Sequence, residues 1–350
     1  MLKFIWGVLT LLLLLSCQSS VPDVKETRLL LGTVVTFTVS GVPEDLALQA
    51  ITQAATVMQQ VENKFTTHGD MQNTVKAFNQ AAVGEAIHLD VAVDKLLQQS
   101  IIYWQQTQAA FDPTLGDLNK RWGFSGDKAP SKPLSKAEVQ QGLMRSGADK
   151  LRRISPQTWV KDKAGIQLDF GAIAKGLAID KGIEALRQSG VEHAIINAGG
   201  DIRILGDHRG QPWRIAIRHP RQDVALGWVD ISKGTSIVTS GDYERFFISQ
   251  GKRYHHIIDP KTGFPAMKSM SVTVQADTAM QADALSTALF ILGFEQGLPM
   301  VEKMVDVEAV WVDAKGNVHM SSGMKSIFQS LEKKKLSENL QLFQNLPIVA

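Results

Sequence analysis

A mixed α+β fold, with largely antiparallel sheets packed against helices, is what this 350-residue sequence predicts. Three observations carry that expectation. Short β-forming runs follow one another at hairpin-like spacing through the middle of the chain, blocks of helical periodicity flank and interrupt them, and no fixed-period repeat or clear linker divides the body. A hydrophobic content of 44% is ample for a large core.

The amino terminus, MLKFIWGVLTLLLLLSCQSS, has one lysine before an apolar run from Phe4 to Leu15, and small residues around Cys17. The run is too short to span a bilayer comfortably and has the flanks of a secretory signal. Leu14-Leu15-Ser16-Cys17 resembles the bacterial lipobox, in which cleavage precedes the cysteine and its thiol is acylated. Residues 1–16 are therefore expected to be a lipoprotein signal peptide and 17–26 a lipidated polar tether. The body then spans 27–330, with a tail over 331–350. An uncleaved anchor helix is the alternative. Cys17 is the one cysteine of the chain, so disulfides do not hold the fold. Gln18 rather than Asp follows it, which by resemblance to sorted lipoproteins implies a lipid anchor on the periplasmic side, at the outer rather than the inner membrane.

In the body, Val35, Phe37 and Val39 alternate with Thr36, Thr38 and Ser40, predicting a β segment within 28–41. From Pro43 to Lys64 the pattern turns helical, with Leu46, Ala50, Ala54, Val57 and Val61 at three- and four-residue steps. A second helix is expected over 92–109, a Gly-, Asp- and Trp-containing loop over 112–126, and a short helix over 136–144. Strands are expected at 159–160, 167–170, 193–197, 203–205, 213–218, 227–231, 235–239, 245–248, 254–258 and 270–275. Helices at 172–188 and 278–292 interrupt them. The tail is charged, then apolar.

With 37 basic and 35 acidic residues the formal charge is +2, which argues against a nucleic-acid partner. No G-x-S-x-G elbow, Ser-His-Asp or Cys-His arrangement or zinc-type spacing is present. Four stretches could carry chemistry. In Asp169–Ala178, DFGAIAKGLA, the lysine precedes the second glycine, so this is not a P-loop. Ala172, Gly176, Ile179, Ile183 and Leu186 share the apolar helix face, which leaves Lys175 unexplained. A cation in a helix's first turn is disfavoured unless an anion joins it, where free N–H groups and the lysine would point at one charge. A solvated lysine or a salt bridge to Asp169 is the alternative.

In Thr278–Gly293, TAMQADALSTALFILG, Asp283 is the one charged residue, and Thr287 lies four residues on along the same face. Two oxygen donors so placed suit a hard cation such as Mg²⁺; a capping or solvent-facing aspartate is the alternative. In Arg253–Pro265, RYHHIIDPKTGFP, strand alternation sends His255 and His256 to opposite faces. A plain hairpin accounts for this stretch, as does a histidine accepting a proton from a reacting hydroxyl. In NAGGDIRILG, Gly199 and Gly200 follow an apolar strand and permit either a turn or close approach to a ligand.

Taken together, LDFGAIAKG, NAGGDIRILG, TSGDYERFF, HHIIDPKTGFP and ADALSTALFILG resemble the ApbE family, the FAD:protein FMN transferases, from Leu31 to Gly323. The resemblance implies a T-fold-like α+β body that binds FAD as substrate, uses Mg²⁺ at its pyrophosphate and moves FMN onto a threonine hydroxyl of a partner protein, releasing AMP. The implied metal ligands are Asp283, Thr287 and the Ala172 carbonyl. The implied flavin-nucleotide contacts are Ala110, Phe111, Asp112, Asp169, Lys175 and Ile257, with Glu244 and His256 as further matched positions. His256 is the candidate acceptor of the threonine proton. The implied acceptor is a membrane redox-complex subunit. Leu31 stands where the family often has methionine, His68 where it often has an aromatic, and Asp70-Met71-Gln72-Asn73 replaces the usual Asp-x-Ser-Glu; Leu31 and His68 match positions that line the flavin in relatives. The mechanism expected is in-line phosphoryl transfer by positioning and charge neutralisation. An FAD pyrophosphatase giving FMN and AMP, and a flavin-binding lipoprotein without turnover, are the alternatives.

Overall fold

The computed structural model describes residues 22–124, 132–331 and 348–349; Cys17 and the expected signal peptide lie outside them. At its centre is an eight-stranded sheet: β1 Val24–Leu30, β2 Thr33–Ser40, β3 His193–Ala198, β4 Asp201–Leu205, β5 Ser236–Gly241, β6 Ser269–Ala276, β7 Glu308–Asp313 and β8 Val318–Met320, side by side in that order. Each neighbouring pair is antiparallel, in keeping with the hairpin spacing. β1 and β2 join through Leu31 and Gly32, both at positive φ (56° and 67°), a two-residue turn whose twist suits a tight hairpin. The expected tether is shorter than 17–26. Val24, Lys25 and Glu26 already pair with Val39, Thr38 and Phe37, and Asp23 just before them is held by His208 and Arg209.

The pleat of β3 and β4 sends alternate residues to opposite faces. Ala194, Ile196 and Ala198 meet helices α1 (Glu44–Phe65) and α2 (Ala174–Gln188) on one side. Ile195, Ile202 and Ile204 meet Trp213, Ile215 and Val229 on the other. Those partners belong to a four-stranded sheet of 213–218, 225–231, 328–330 and 348–349, in which Ile348–Val349 pairs in parallel with the first strand. The layers are thus helices, central sheet and small sheet. Helix α3 (Ala279–Val301) lies over β5 and β6, sharing a core with Val238, Val272 and Val274. By length and composition α3 could cross a membrane, yet most of it is buried inside the fold, as in a core helix. Between α1 and α2 the chain makes an excursion through helices 74–80, 91–106, 116–122 and 136–143 and a three-stranded sheet of 87–88, 158–161 and 151–155.

Several sequence expectations shift for identifiable reasons. The buried face of α1 is Ala47, Ala50, Ile51, Ala54, Ala55 and Met58, with Leu46 exposed, because the small residues let α2 pack closely along that side. The run 167–170 makes one isolated bridge, Leu115 to Gln167, instead of a strand; the Asn79 amide accepts the Leu168 N–H and donates to its carbonyl, replacing a neighbouring strand. The loop expected over 112–126 contains the helix Gly116–Trp122, closed by Gly123 at φ 78°. The strand expected at 254–258 is Lys252–His255, and beyond it the His255 ring meets the Ala266 carbonyl (2.7 Å).

Candidate active site

One cavity of about 560 Å³ gathers Leu31, His68, Ala110, Phe111, Asp112, Asp169, Ala172, Lys175, Glu244, His256, Ile257, Asp283 and Thr287, the flavin, metal and proton-acceptor positions that the resemblance implies. It opens where the starts of α2 and α3 meet the start of β4 and the end of β5, opposite the excursion 66–170.

Lys175 is the second residue of α2, and its partner is neither solvent nor Asp169. Its Nζ lies 2.6 Å from Oδ2 of Asp201, the first residue of β4; a third of the lysine side chain is exposed, against 2% of the aspartate. Burial lowers the lysine's pKa, but Asp201, with help from Asp283 and Glu244, outweighs it and holds the ammonium above its ordinary range. Burial likewise raises Asp201, against the pull of Lys175. The Gly176 N–H donates to Oδ2 of Asp283 (2.9 Å) rather than to the Ala172 carbonyl four residues back. Lys175 and the Gly176 N–H thus already meet carboxylates of the chain itself, while a third of the lysine side chain remains exposed. A Cβ on Gly176 would lie 2.3 Å from the Ala279 carbonyl oxygen, so the second glycine of DFGAIAKGLA is what lets the two helix starts touch.

Farther along α2, Asp180 accepts the N–H groups of Ala279 and Met280 (2.8 and 2.9 Å) and pairs with Arg203 of β4 (3.2 Å). A carboxylate on those N–H groups caps α3 from outside and fixes its phase, so that Asp283 and Thr287 face the cavity. Asp283 is 5% exposed, which removes the solvent-facing alternative. Burial, reinforced by Asp201 and opposed by Lys175, pushes it up to about 7. The Thr287 hydroxyl is 3.3 Å from that of Ser240.

Six carboxylates, Glu62, Asp112, Asp169, Asp201, Glu244 and Asp283, line the cavity against Lys175 and Arg245. An anionic ligand would meet that excess only in the company of a cation. The Asp283 carboxylate, the Thr287 hydroxyl and the Ala172 carbonyl, which Gly176 leaves to other partners, are hard oxygen donors of the kind Mg²⁺ takes. Among the described residues no three His, Cys, Asp or Glu side chains cluster as a metal site, so such a cation would complete its shell from hydroxyl, carbonyl, water and ligand oxygens.

Opposite α3, Gln108 and Ala109 take left-handed conformations (φ 54° and 65°) after helix 91–106, and the Thr107 hydroxyl accepts the Phe111 N–H (3.0 Å). That reversal presents Ala110, Phe111 and Asp112 to the cavity. Burial raises Asp112 although Thr114 donates to it through N–H (2.8 Å) and hydroxyl (2.5 Å). Asp169 accepts from Gly171 N–H (2.8 Å) and Asn119 Nδ2 (2.9 Å). The two histidines part as alternation predicts: His255 is buried on the Ala266 carbonyl, while His256 lines the cavity with its Nδ1 buried and without a protein partner among the described residues. Burial, with His255 and Arg245 adding, lowers the His256 imidazole to about 3, so it is neutral.

The ApbE family model matches residues 31–311. The chain belongs to the ApbE family. Its similarity to the FAD:protein FMN transferase of Rhodobacter capsulatus is 34% identity over 315 residues, 89% of this chain but 59% of that protein, so it spans under two thirds of that relative's length. The FAD:protein FMN transferase of Treponema pallidum (strain Nichols) is 32% identical, with 88% of this chain and 89% of that protein covered. The crystal structure of the ApbE protein from Thermotoga maritima MSB8 aligns with a TM-score of 0.80 at 31% identity, over 88% of this chain and 100% of the other.

Leu31 and His68, two of the positions where the resemblance implies a departure from the family pattern, lie on turns. Leu31 sits in the β1–β2 turn with its N–H on Glu62 (3.1 Å), and His68 is an exposed residue of the loop after α1. Asp201, Asp180 and Arg203 are not among the residues that the motifs single out. The available signal was period two: in DIRIL, Asp201 and Arg203 share one strand face and Ile202 and Ile204 the other, which matches charged to charged across to α2.

Proposed function

We propose that this ApbE family chain moves FMN from FAD onto a threonine hydroxyl of a partner protein and releases AMP, with Mg²⁺ at the diphosphate. The observation that carries the reading is the convergence of five separated motifs on one cavity, with buried Asp283 tied to the first turn of α2 beside the Lys175–Asp201 pair. Asp283, Thr287 and the Ala172 carbonyl would hold the cation, which when bound neutralises diphosphate charge and polarises its P–O bonds. Lys175, kept cationic by Asp201, meets the remaining phosphate charge. The threonine oxygen forms a bond to the FMN-side phosphorus as the bond to the AMP-side bridging oxygen breaks, and AMP leaves with that oxygen. His256, whose side chain lines the cavity, would take the threonine proton; a ring lowered to about 3 is a weak base until anionic substrate beside it restores its basicity.

The test is incubation with FAD, Mg²⁺ and a membrane redox-complex subunit bearing the candidate threonine, read by intact mass of the acceptor and by AMP release, with a chelator control. An acceptor heavier by FMN is the expected result. AMP and free FMN without acceptor mass gain would make the chain a pyrophosphatase, and FAD binding without AMP a flavin carrier.

Cys17 is the proposed lipid-bearing residue, on the periplasmic side at the outer membrane; its support is the lipobox-like Leu14-Leu15-Ser16-Cys17 and Gln18. One acyl chain anchors only marginally, so more than one is required. The Cys17→Ser protein should leave the membrane fraction; retention there after signal cleavage would rule the anchor out.

A further inference from the structure

The loop from Thr66 to Asn73 gives the cavity three wall residues, Thr66, Thr67 and His68. No apolar side chain anchors its tip, since every residue from His68 to Gln72 is exposed, Met71 at 51%. Its hold comes from beneath. Lys76, in the short helix Thr74–Gln80 and 8% exposed, turns its ammonium back under the loop and donates to the carbonyls of His68 (2.8 Å), Gly69 (2.6 Å) and Met71 (2.7 Å). A lysine ammonium has three N–H donors, and three uncharged carbonyls receive them. Asn73 fastens the other end, donating to the Asn63 and Thr66 carbonyls (3.0 and 2.8 Å) and accepting the Lys76 N–H (2.9 Å). Asp70–Asn73 lies within this polar cage.

We infer that Lys76 is a positioning residue for FAD: by gathering three loop carbonyls on one ammonium it holds the His68 wall of the cavity in its binding shape before the substrate arrives. The inference rests on the FAD reading above. A loop with few buried apolar contacts opens locally unless specific bonds close it. Without those bonds only a fraction of molecules present the formed wall, and apparent affinity falls by that fraction. Lys175, Asp201 and Asp283 stand on α2, β4 and α3, so the reacting end of the cavity is untouched.

The test compares wild type with Lys76→Met, which keeps the length of the side chain and removes the donors. The companion is Asn73→Ala, which frees the loop from Asn63 and Thr66 while leaving Lys76 in place. Three quantities are read: FAD dissociation constant by fluorescence, AMP release at saturating FAD and Mg²⁺, and amide hydrogen exchange of 66–73. Both variants should bind FAD about tenfold more weakly, exchange faster across the loop, and keep saturated turnover within about twofold. Unchanged FAD affinity in a folded variant whose loop exchanges faster overturns the inference, as does turnover falling in step with thermal stability. If Lys76→Met does not fold, Asn73→Ala decides alone. Wild type that binds no FAD overturns the functional reading and this one with it, whereas wild-type binding with unaffected variants overturns this one only.

Discussion

At the α2–α3 end of the cavity Lys175, Asp283 and the start of α3 are each held by a partner from another segment, whereas at the His68 end the wall is a loop whose side chains face solvent. Asp201 holds Lys175, the Gly176 N–H holds Asp283, and Asp180 holds the start of α3. His68 has its main chain tied down and its ring free to vary. Interlocked buried charges resist single substitutions, because removing one strands its neighbour; exposed loop side chains do not. The difference separates chemistry from affinity: substitutions at the first end should lose turnover or fold, and at the second only tightness of binding.

The largest effect is expected from Asp283→Asn. Asparagine keeps one oxygen for the Gly176 N–H, so packing survives, but the charge that would hold a divalent cation is gone. FMN transfer should fall by a factor on the order of 10² or more while FAD binding changes little, since charge that grows in the transition state is what the cation serves. A Mg²⁺ titration of AMP release checks this; wild-type rates at limiting Mg²⁺ would detach Asp283 from the chemistry.

Lys175→Ala should cost fold as well as function, because it leaves Asp201 buried and unpaired. Breaking a fully buried pair costs about 3–5 kcal/mol, and the partial exposure of Lys175 reduces that to roughly 2–3. Adding Asp201→Asn to the same chain should restore most of the melting temperature and none of the transfer. If the single variant melts like wild type, the pair is not the anchor of this end.

His256 gives the comparison a pH signature. Its folded pKa, about 3, lies below the unfolded value of about 6.5, so the unfolded chain binds more protons between those values. The stability this confers is complete above about pH 6.5 and is lost as pH falls through that window towards 3. Between pH 6.5 and 5 wild type should lose about 1–2 kcal/mol through this one group, read as a falling urea midpoint, and His256→Gln should lose less. Equal slopes would place the acid sensitivity elsewhere.

The same division governs how much could be read from the sequence. Strand alternation and hairpin spacing disclose the antiparallel sheet, and helical periodicity locates α2 and α3, because those patterns record burial directly. Lys175 and Asp283 stand out as charges the apolar faces do not explain. Their partners do not: Asp201 and Gly176 come from other segments, and which carboxylate meets which donor depends on how β4 lies across α2. Short pieces such as Ile87–His88 and Thr74–Gln80 carry too few residues to show a period, and Lys76 reads as an ordinary surface lysine until the loop folds over it. The family resemblance names residues that single motifs leave open and directs Lys175 at ligand phosphate; the Asp201 beside it is legible only in the fold.

The smallest effect, and the sharpest test of the loop end, is His68→Tyr. The position is exposed and its carbonyl, not its ring, is bound to Lys76, so exchanging the side chain should leave the melting temperature unchanged. A tyrosine ring offers more stacking surface to an aromatic ligand, and such contacts are worth about 0.5–1.5 kcal/mol. If the flavin ring lies against this wall, FAD should bind about threefold to tenfold more tightly, with saturated AMP release unaltered, because the added contact serves ground state and transition state alike. Turnover that changes while affinity does not would mean that the loop reaches the reacting phosphates, and the division between the two ends would fail. Unchanged affinity and turnover together would place the flavin against another wall, where Phe65 and Phe170 already meet edge to face with ring centroids 5.5 Å apart.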